Sequence, residues 1–113
     1  MNDNCLFCKI VRGEIPARIV AENPAGLAFL DIDPKAPVHA LVIPRTHVAS
    51  LADAGDTQLL GSLMELCARV ARDQGVSDSG YRVVTNVKSD GGQTVDHLHF
   101  HVMGGRRMAW PPG

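Results

Sequence analysis

Basic residues are not in excess in this chain: 11 Lys and Arg stand against 12 Asp and Glu, for a formal net charge of −1 over 113 residues. With no basic run there is no broad surface for a polyanion, so nucleic acid is not expected as a partner, whereas a small phosphorylated ligand needs only local donors. Long apolar runs are also missing, and none approaches the length of a membrane span. The opening Met1-Asn2-Asp3-Asn4-Cys5 has no charged n-region followed by an apolar h-region. The expectation is a cytoplasmic protein with no membrane partner. Cysteines number three. In that compartment they argue against a disulfide framework and for metal binding, catalysis or packing. No internal repeat or low-complexity tract interrupts the sequence, and its length suits one domain spanning 1–113 with a core of its own.

The hydrophobic pattern predicts an α+β chain. Leu6 to Arg12 reads as a short helix closed by Gly13. Strands are expected over 18–22, 27–32 and 38–43, separated by Asn23-Pro24-Ala25-Gly26 and Asp33-Pro34-Lys35-Ala36-Pro37. From Thr57 to Gln74, Leu59, Leu60, Leu63, Leu66, Cys67, Val70 and Ala71 recur at helical spacing, with Asp56 as cap and Gly75 as stop. Cys67 falls on the apolar face of that helix and reads as core. Two more strands, 81–86 and 98–103, flank a Gly-rich loop, Lys88 to Thr94. The fold expected is a five-stranded, mainly antiparallel sheet with one long and one short helix.

The functional signal is concentrated in His97-Leu98-His99-Phe100-His101-Val102-Met103. On extended backbone, alternate residues share a face, so the three imidazoles point one way and Leu98, Phe100 and Val102 the other. Packed titratable groups of this kind are usually kept for chemistry. Neutral imidazole attacks phosphorus readily, and a neighbouring imidazole can protonate a leaving group or stabilise phosphate oxygens. The competing use is a three-nitrogen catalytic metal site with an open position, as in cupin-like barrels. Against it, Val102, Met103, Gly104 and Gly105 follow His101 where a carboxylate ligand is needed, and the long helix has no place in a small barrel.

Those seven residues match the signature His-φ-His-φ-His-φ-φ, with φ apolar. Asp31-Ile32-x-Pro34-x-Ala36-Pro37-x-His39, Val42-Ile43-Pro44-x-x-His47, Ser89-Asp90-Gly91-Gly92-Gln93 and Trp110-Pro111-Pro112-Gly113 extend the match over nearly the whole chain. The chain thus resembles the Hint branch of the histidine triad (HIT) superfamily. The resemblance implies a homodimeric purine nucleotide-binding protein that hydrolyses nucleoside phosphoramidates such as adenosine 5′-monophosphoramidate. Carried over by position, His99 is the nucleophile that forms a nucleotidyl-histidine, with the His97 carbonyl fixing its tautomer. His101 faces the phosphate oxygens and His39 stands beside them. Gln93 and Thr94 reach the phosphate or leaving group, Asn86 the phosphate, and Asp31 the ribose hydroxyls. Phe7, Ile10, Phe29, Leu30 and Ile32 form the slot for the base. On residue type alone, Phe29 and Ile32 suit the core of any sheet, Asp31 suits a Pro-rich turn, and His39 suits a satisfied core histidine. Two positions depart from the family pattern: Thr94 stands where Ser is frequent, and Asp96 where many relatives carry an aromatic. A carboxylate close to His97 would favour its imidazolium form. A nucleotide-binding interaction protein with incidental hydrolysis is the rival function.

Two further expectations concern metal and assembly. Cys5-x-x-Cys8 has the spacing of a zinc half-site, and His47 and His97 are candidates for the other half. Some bacterial histidine triad proteins resemble this arrangement, which implies a structural zinc outside the chemistry. A redox pair or two unrelated thiols are the alternatives. The tail from Gly104 to Gly113 holds the only Trp, Trp110. In Hint-like dimers the corresponding tail crosses to the partner's active site and the two sheets join into one, which is expected here; Trp110 folded back on its own subunit is the alternative.

Overall fold

The computed structural model describes residues 4–113; Met1 to Asp3, part of the N-terminus in which no leader is expected, lie outside the described residues. In chain order the elements are α1 (Leu6–Val11), β1 (Ile19–Glu22), β2 (Gly26–Leu30), β3 (Val38–Pro44), α2 (Thr57–Asp73), β4 (Tyr81–Val84) and β5 (Phe100–Gly104). The strands lie in the order β1-β2-β3-β5-β4, each antiparallel to its neighbours. The α+β class, the five strands and both helices are those the sequence predicts.

Alternation along the strands gives each face of the sheet its own apolar layer. Ala28, Ala40, Val42, Phe100 and Val102 meet Leu63, Leu66, Cys67, Val70 and Ala71 of α2. Leu27, Phe29, Leu41 and Ile43 point the other way, onto Phe7, Cys8 and Ile10 of α1. Each fully buried Leu, Ile or Val side chain in these layers contributes about 1.5–3 kcal/mol. Asp56 caps α2 by accepting the Gln58 and Leu59 amides at 3.0 and 3.1 Å. At the other end Gly75, at φ +77°, donates to the Arg72 carbonyl while Val76 donates to Ala71, closing the helix in a Schellman motif. Gly26 is required by close approach: a Cβ there would lie 2.3 Å from the Ile43 carbonyl oxygen.

The differences from expectation sit around the site. β5 begins at Phe100 and not at Leu98. The register that pairs Val42 with Phe100 brings Pro44 opposite Leu98, and Pro44 has no N–H to continue the ladder. The Leu98 amide instead donates to the Val48 carbonyl at 2.6 Å. β4 ends at Val84, not Asn86, because the next two side chains bond elsewhere: Thr85 Oγ1 donates to the His99 carbonyl (2.8 Å) and Asn86 Nδ2 to the Gly91 carbonyl (2.6 Å). β2 stops at Leu30, where Asp31 Oδ1 accepts the Asp33 amide and starts the turn. A short 3₁₀ turn, Leu51–Asp53, capped by Ser50, has no counterpart in the hydrophobic pattern. Among the described residues no helix is long and apolar enough to cross a membrane.

Candidate active site and metal-ligating cluster

On the α1 face of the sheet lies a cleft of about 270 Å³. Phe7 and Ile10 from α1, Phe29 and Leu30 from β2, and Ile32 line its apolar part. Asp31, Thr94, His99 and His101 supply its polar groups. Phe7 sets the geometry: its ring stands edge-on to Phe29, with centroids 5.6 Å apart, and edge-on to His99 at 5.1 Å. Ile32 is fully exposed at the cleft margin, so it is not a core residue.

Hydrogen bonds fix which ring nitrogen carries the proton on each histidine of the cleft. A carbonyl oxygen only accepts, so the 2.7 Å contact of His99 Nδ1 with the His97 carbonyl places the proton on Nδ1. A neutral His99 therefore keeps its lone pair on Nε2. His39 Nδ1 accepts the Lys35 amide at 3.0 Å, so its proton sits on Nε2. That proton is donated to His101 Nδ1 at 2.9 Å, and neutral His101 must carry its own on Nε2. Adjacent rings, with centroids 5.1 Å apart, thus have opposite character: His99 has a free lone pair and His101 a free N–H. Asp31 Oδ2 lies 3.5 Å from His39 Nε2. The ligand atoms of Asp31, His39 and His101 fall within 4.8 Å of one another, yet His39 presents a proton there and no lone pair. The grouping is an acid–base chain and not a cation site.

Burial pushes the His101 imidazole down to about 4, with His99 and His39 lowering it further and Asp31 opposing. Burial likewise lowers His39, partly offset by Asp31. Both rings are therefore neutral at pH 7. The unfolded chain takes up a proton on His101 near the ordinary value of 6.5, whereas the folded protein resists it until about 4. Stability should therefore fall as pH drops through that window, by on the order of 2–3 kcal/mol from this residue. Urea denaturation at pH 7.5 and 4.5, with a chelator present at both, checks this; His101→Asn should shrink the difference by that amount and leave the part that His97 and His39 contribute with the same sign.

A second cluster lies beside the cleft. Cys5 Sγ is 3.3 Å and Cys8 Sγ 3.5 Å from His97 Nδ1, and Cys8 Sγ is 3.3 Å from His47 Nδ1. All four ligand atoms lie within 4.8 Å of one another. His97 Nε2 donates to the Pro44 carbonyl at 3.1 Å, which leaves Nδ1 unprotonated and turned toward the thiols. Burial lowers His97 to about 4, the Pro44 bond opposes, and His47 and His99 lower it further. Asp96, whose orientation the sequence leaves open, is exposed and lines a separate shallow cavity with Asn4, Cys5 and His47. Cys67 stands apart on α2, its thiol pushed up to about 12 by burial. It reads as inert core.

Four candidate residues sit elsewhere than the cleft wall. Gln93 is turned into the loop, its Nε2 donating to the Ala49 and Val95 carbonyls (2.7 and 2.9 Å) and its Oε1 accepting the Lys88 amide (2.9 Å). Asn86 holds the Gly91 carbonyl of the same loop. Trp110 is 82 % exposed, with the Arg82 guanidinium 6.0 Å from its ring. His39 is buried directly behind His101. The cleft also uses Leu6, Leu41, Val95 and the connector Ile15-Pro16-Ala17, none of which the sequence motifs single out. The apolar connector after Gly13 is the one available signal for these.

The HIT domain family model matches residues 12–108. An uncharacterized HIT-like protein of Synechococcus elongatus is 50% identical over 115 residues, covering all of both chains. The crystal structure of a HIT family hydrolase from Legionella pneumophila superposes with a TM-score of 0.94 at 51% identity, covering 97% of this chain and 100% of that one. A HIT family hydrolase from Clostridium thermocellum gives 0.93 at 40% identity, with 96% of each chain covered.

Proposed function

This chain belongs to the HIT domain family, and on that footing we propose that it is a Hint-branch hydrolase that cleaves purine nucleoside 5′-phosphoramidates. The observation that carries this reading is the opposed tautomers of His99 and His101 at the end of an apolar cleft. The base enters the slot walled by Phe7, Ile10, Phe29, Leu30 and Ile32, and Asp31 accepts from the ribose hydroxyls. His99 Nε2 attacks the α-phosphorus, and the bond from phosphorus to the leaving nitrogen breaks as the new N–P bond forms. His101 Nε2–H stabilises the phosphate oxygens, and the departing amine takes its proton from solvent at the open cleft, a proton that the attacking water of the next step returns. His39 Nε2–H, bonded to His101 Nδ1, holds His101 in that tautomer. Water then attacks phosphorus, releasing the nucleoside monophosphate and freeing His99. Thr94 faces the phosphate, while Gln93 and Asn86 act by bracing the loop that presents it.

Cys5, Cys8, His47 and His97 fit a structural zinc. Tetrahedral Zn–S and Zn–N bonds of about 2.3 and 2.0 Å place neighbouring S and N ligands about 3.5 Å apart, close to the 3.3–3.5 Å separations here. Four protein ligands leave no open coordination position, so such an ion supplies no Lewis acidity and serves to tie the N-terminal segment to the triad strand. The protein acts in the cytoplasm as a homodimer of single domains. β4 lies at an edge of the sheet, and the exposed Trp110 of the tail reaches the partner's cleft.

A fluorogenic adenosine 5′-phosphoramidate should be turned over repeatedly by the purified protein. Binding of AMP with no turnover would instead make it a nucleotide-binding interaction protein. Light scattering should return twice the 12.1 kDa chain mass; a monomer at micromolar concentration would refute the dimer.

A further inference from the structure

We propose that the Cys5–Cys8–His47–His97 cluster couples metal binding to nucleotide binding, because a borderline divalent cation such as zinc held there docks α1, and α1 carries walls of the nucleotide slot. The inference rests on the nucleotide-binding reading above.

Leu6 and Phe7 lie between the two cysteine ligands, and Ile10 follows one turn on; all three line the cleft. α1 has only six residues, far below the length at which a helix holds its shape unaided. Its first cap is itself a ligand: Cys5 Sγ accepts the Cys8 amide at 3.4 Å. Without a cation the cluster is joined only by sulfur–imidazole contacts of 3.3–3.5 Å, and sulfur is a weak hydrogen-bonding partner. With a cation, both cysteines are pinned to His47 and His97 by coordinate bonds.

The imidazole side of the cluster has other anchors. His97 keeps its bond to the Pro44 carbonyl, and the next amide, Leu98, keeps its 2.6 Å bond to Val48. The His97 carbonyl that holds His99 therefore stays in place when the cation leaves. What loosens is α1, and with it the edge-on packing of Phe7 against Phe29 and His99. Metal loss should weaken nucleotide affinity and spare the rate at saturation. By linkage, nucleotide must tighten metal binding by the same factor. The HIT domain match begins at Arg12, so both cysteines and all of α1 lie outside the span that defines the family.

Full-length protein loaded with zinc, and the same protein stripped by a chelator, are titrated with AMP, and amide hydrogen exchange is followed in both. Stripping should weaken AMP binding about tenfold or more and speed exchange in residues 6–11 while β3 and β5 stay protected. The single-turnover rate at saturating phosphoramidate should change less than about twofold. Zinc affinity, read by competition with a chromophoric chelator, should rise by the same factor when AMP is present. His47→Gln, which removes a ligand and leaves every residue of α1 unchanged, should reproduce the stripped affinity. Equal AMP affinities in the two forms overturn the coupling. So does loss of protection across the whole sheet on stripping, which would make the cluster a staple of the entire fold. Failure of AMP to bind the zinc-loaded protein overturns the nucleotide reading itself, and the coupling with it.

Discussion

Alanine in place of His99 should lower phosphoramidate turnover by roughly 10⁴-fold or more while AMP affinity stays within about threefold. The asymmetry follows from what each group touches. Among the cleft imidazoles of the described residues, His99 alone keeps a lone pair that the hydrogen-bond pattern leaves uncommitted, so its removal takes away the bond-forming atom. The base slot and Asp31 are built from other residues and survive. His101→Ala removes a hydrogen-bond donor to the phosphate oxygens and not the nucleophile, and should cost less, about a hundredfold. Steady-state kinetics beside calorimetric AMP titration separates the two effects. Near-normal turnover in His99→Ala would sink the mechanism outright.

Protein purified without a His tag should carry close to one zinc per chain, and Cys5→Ser or Cys8→Ser should lose it. The four ligand atoms already lie within 4.8 Å of one another, three sulfur–nitrogen pairs at 3.3–3.5 Å, and His97 is held with its lone pair toward the thiols, so little reorganisation opposes binding. At free zinc a thousand times Kd the native state gains about 4 kcal/mol, which in a chain of this size is a Tm difference of roughly 10–20 °C. Elemental analysis and thermal melts with and without chelator check both numbers. Freely alkylated thiols and no bound metal in the native protein would show that the ligands persist without the ion.

The triad's orientation is legible in the sequence because alternation is a local property of extended backbone. Leu98, Phe100 and Val102 enter the α2 layer while His97, His99 and His101 turn away from it, even though ladder pairing starts only at Phe100. Helix α2 is legible for the same reason, its apolar spacing, cap and glycine stop all being local. What escapes the sequence is decided between distant segments. Nothing near Leu98 announces that its amide will bond to Val48, and the side-chain amides of Gln93 and Asn86 serve loop carbonyls that only the folded chain brings within reach. Ile15, Pro16 and Ala17 belong to none of the sequence motifs; that they wall the cleft depends on where Gly13, at φ +75°, turns the chain. The histidine tautomers are accessible only in part. The His97 carbonyl is an expected partner of His99, but the Lys35 amide that sets His39, and through it His101, belongs to a turn four residues away.

The chemistry proposed for the cleft turns on a covalent bond between phosphorus and His99. Rapid acid-free quenching of the protein mixed with excess adenosine phosphoramidate, followed by digestion and mass mapping, looks for that bond itself. The expected result is one adenylyl group per active site, on the imidazole of His99, formed and lost at rates compatible with turnover. A protein that turns substrate over with no adduct at any time point, or with the adduct on another residue, would contradict it.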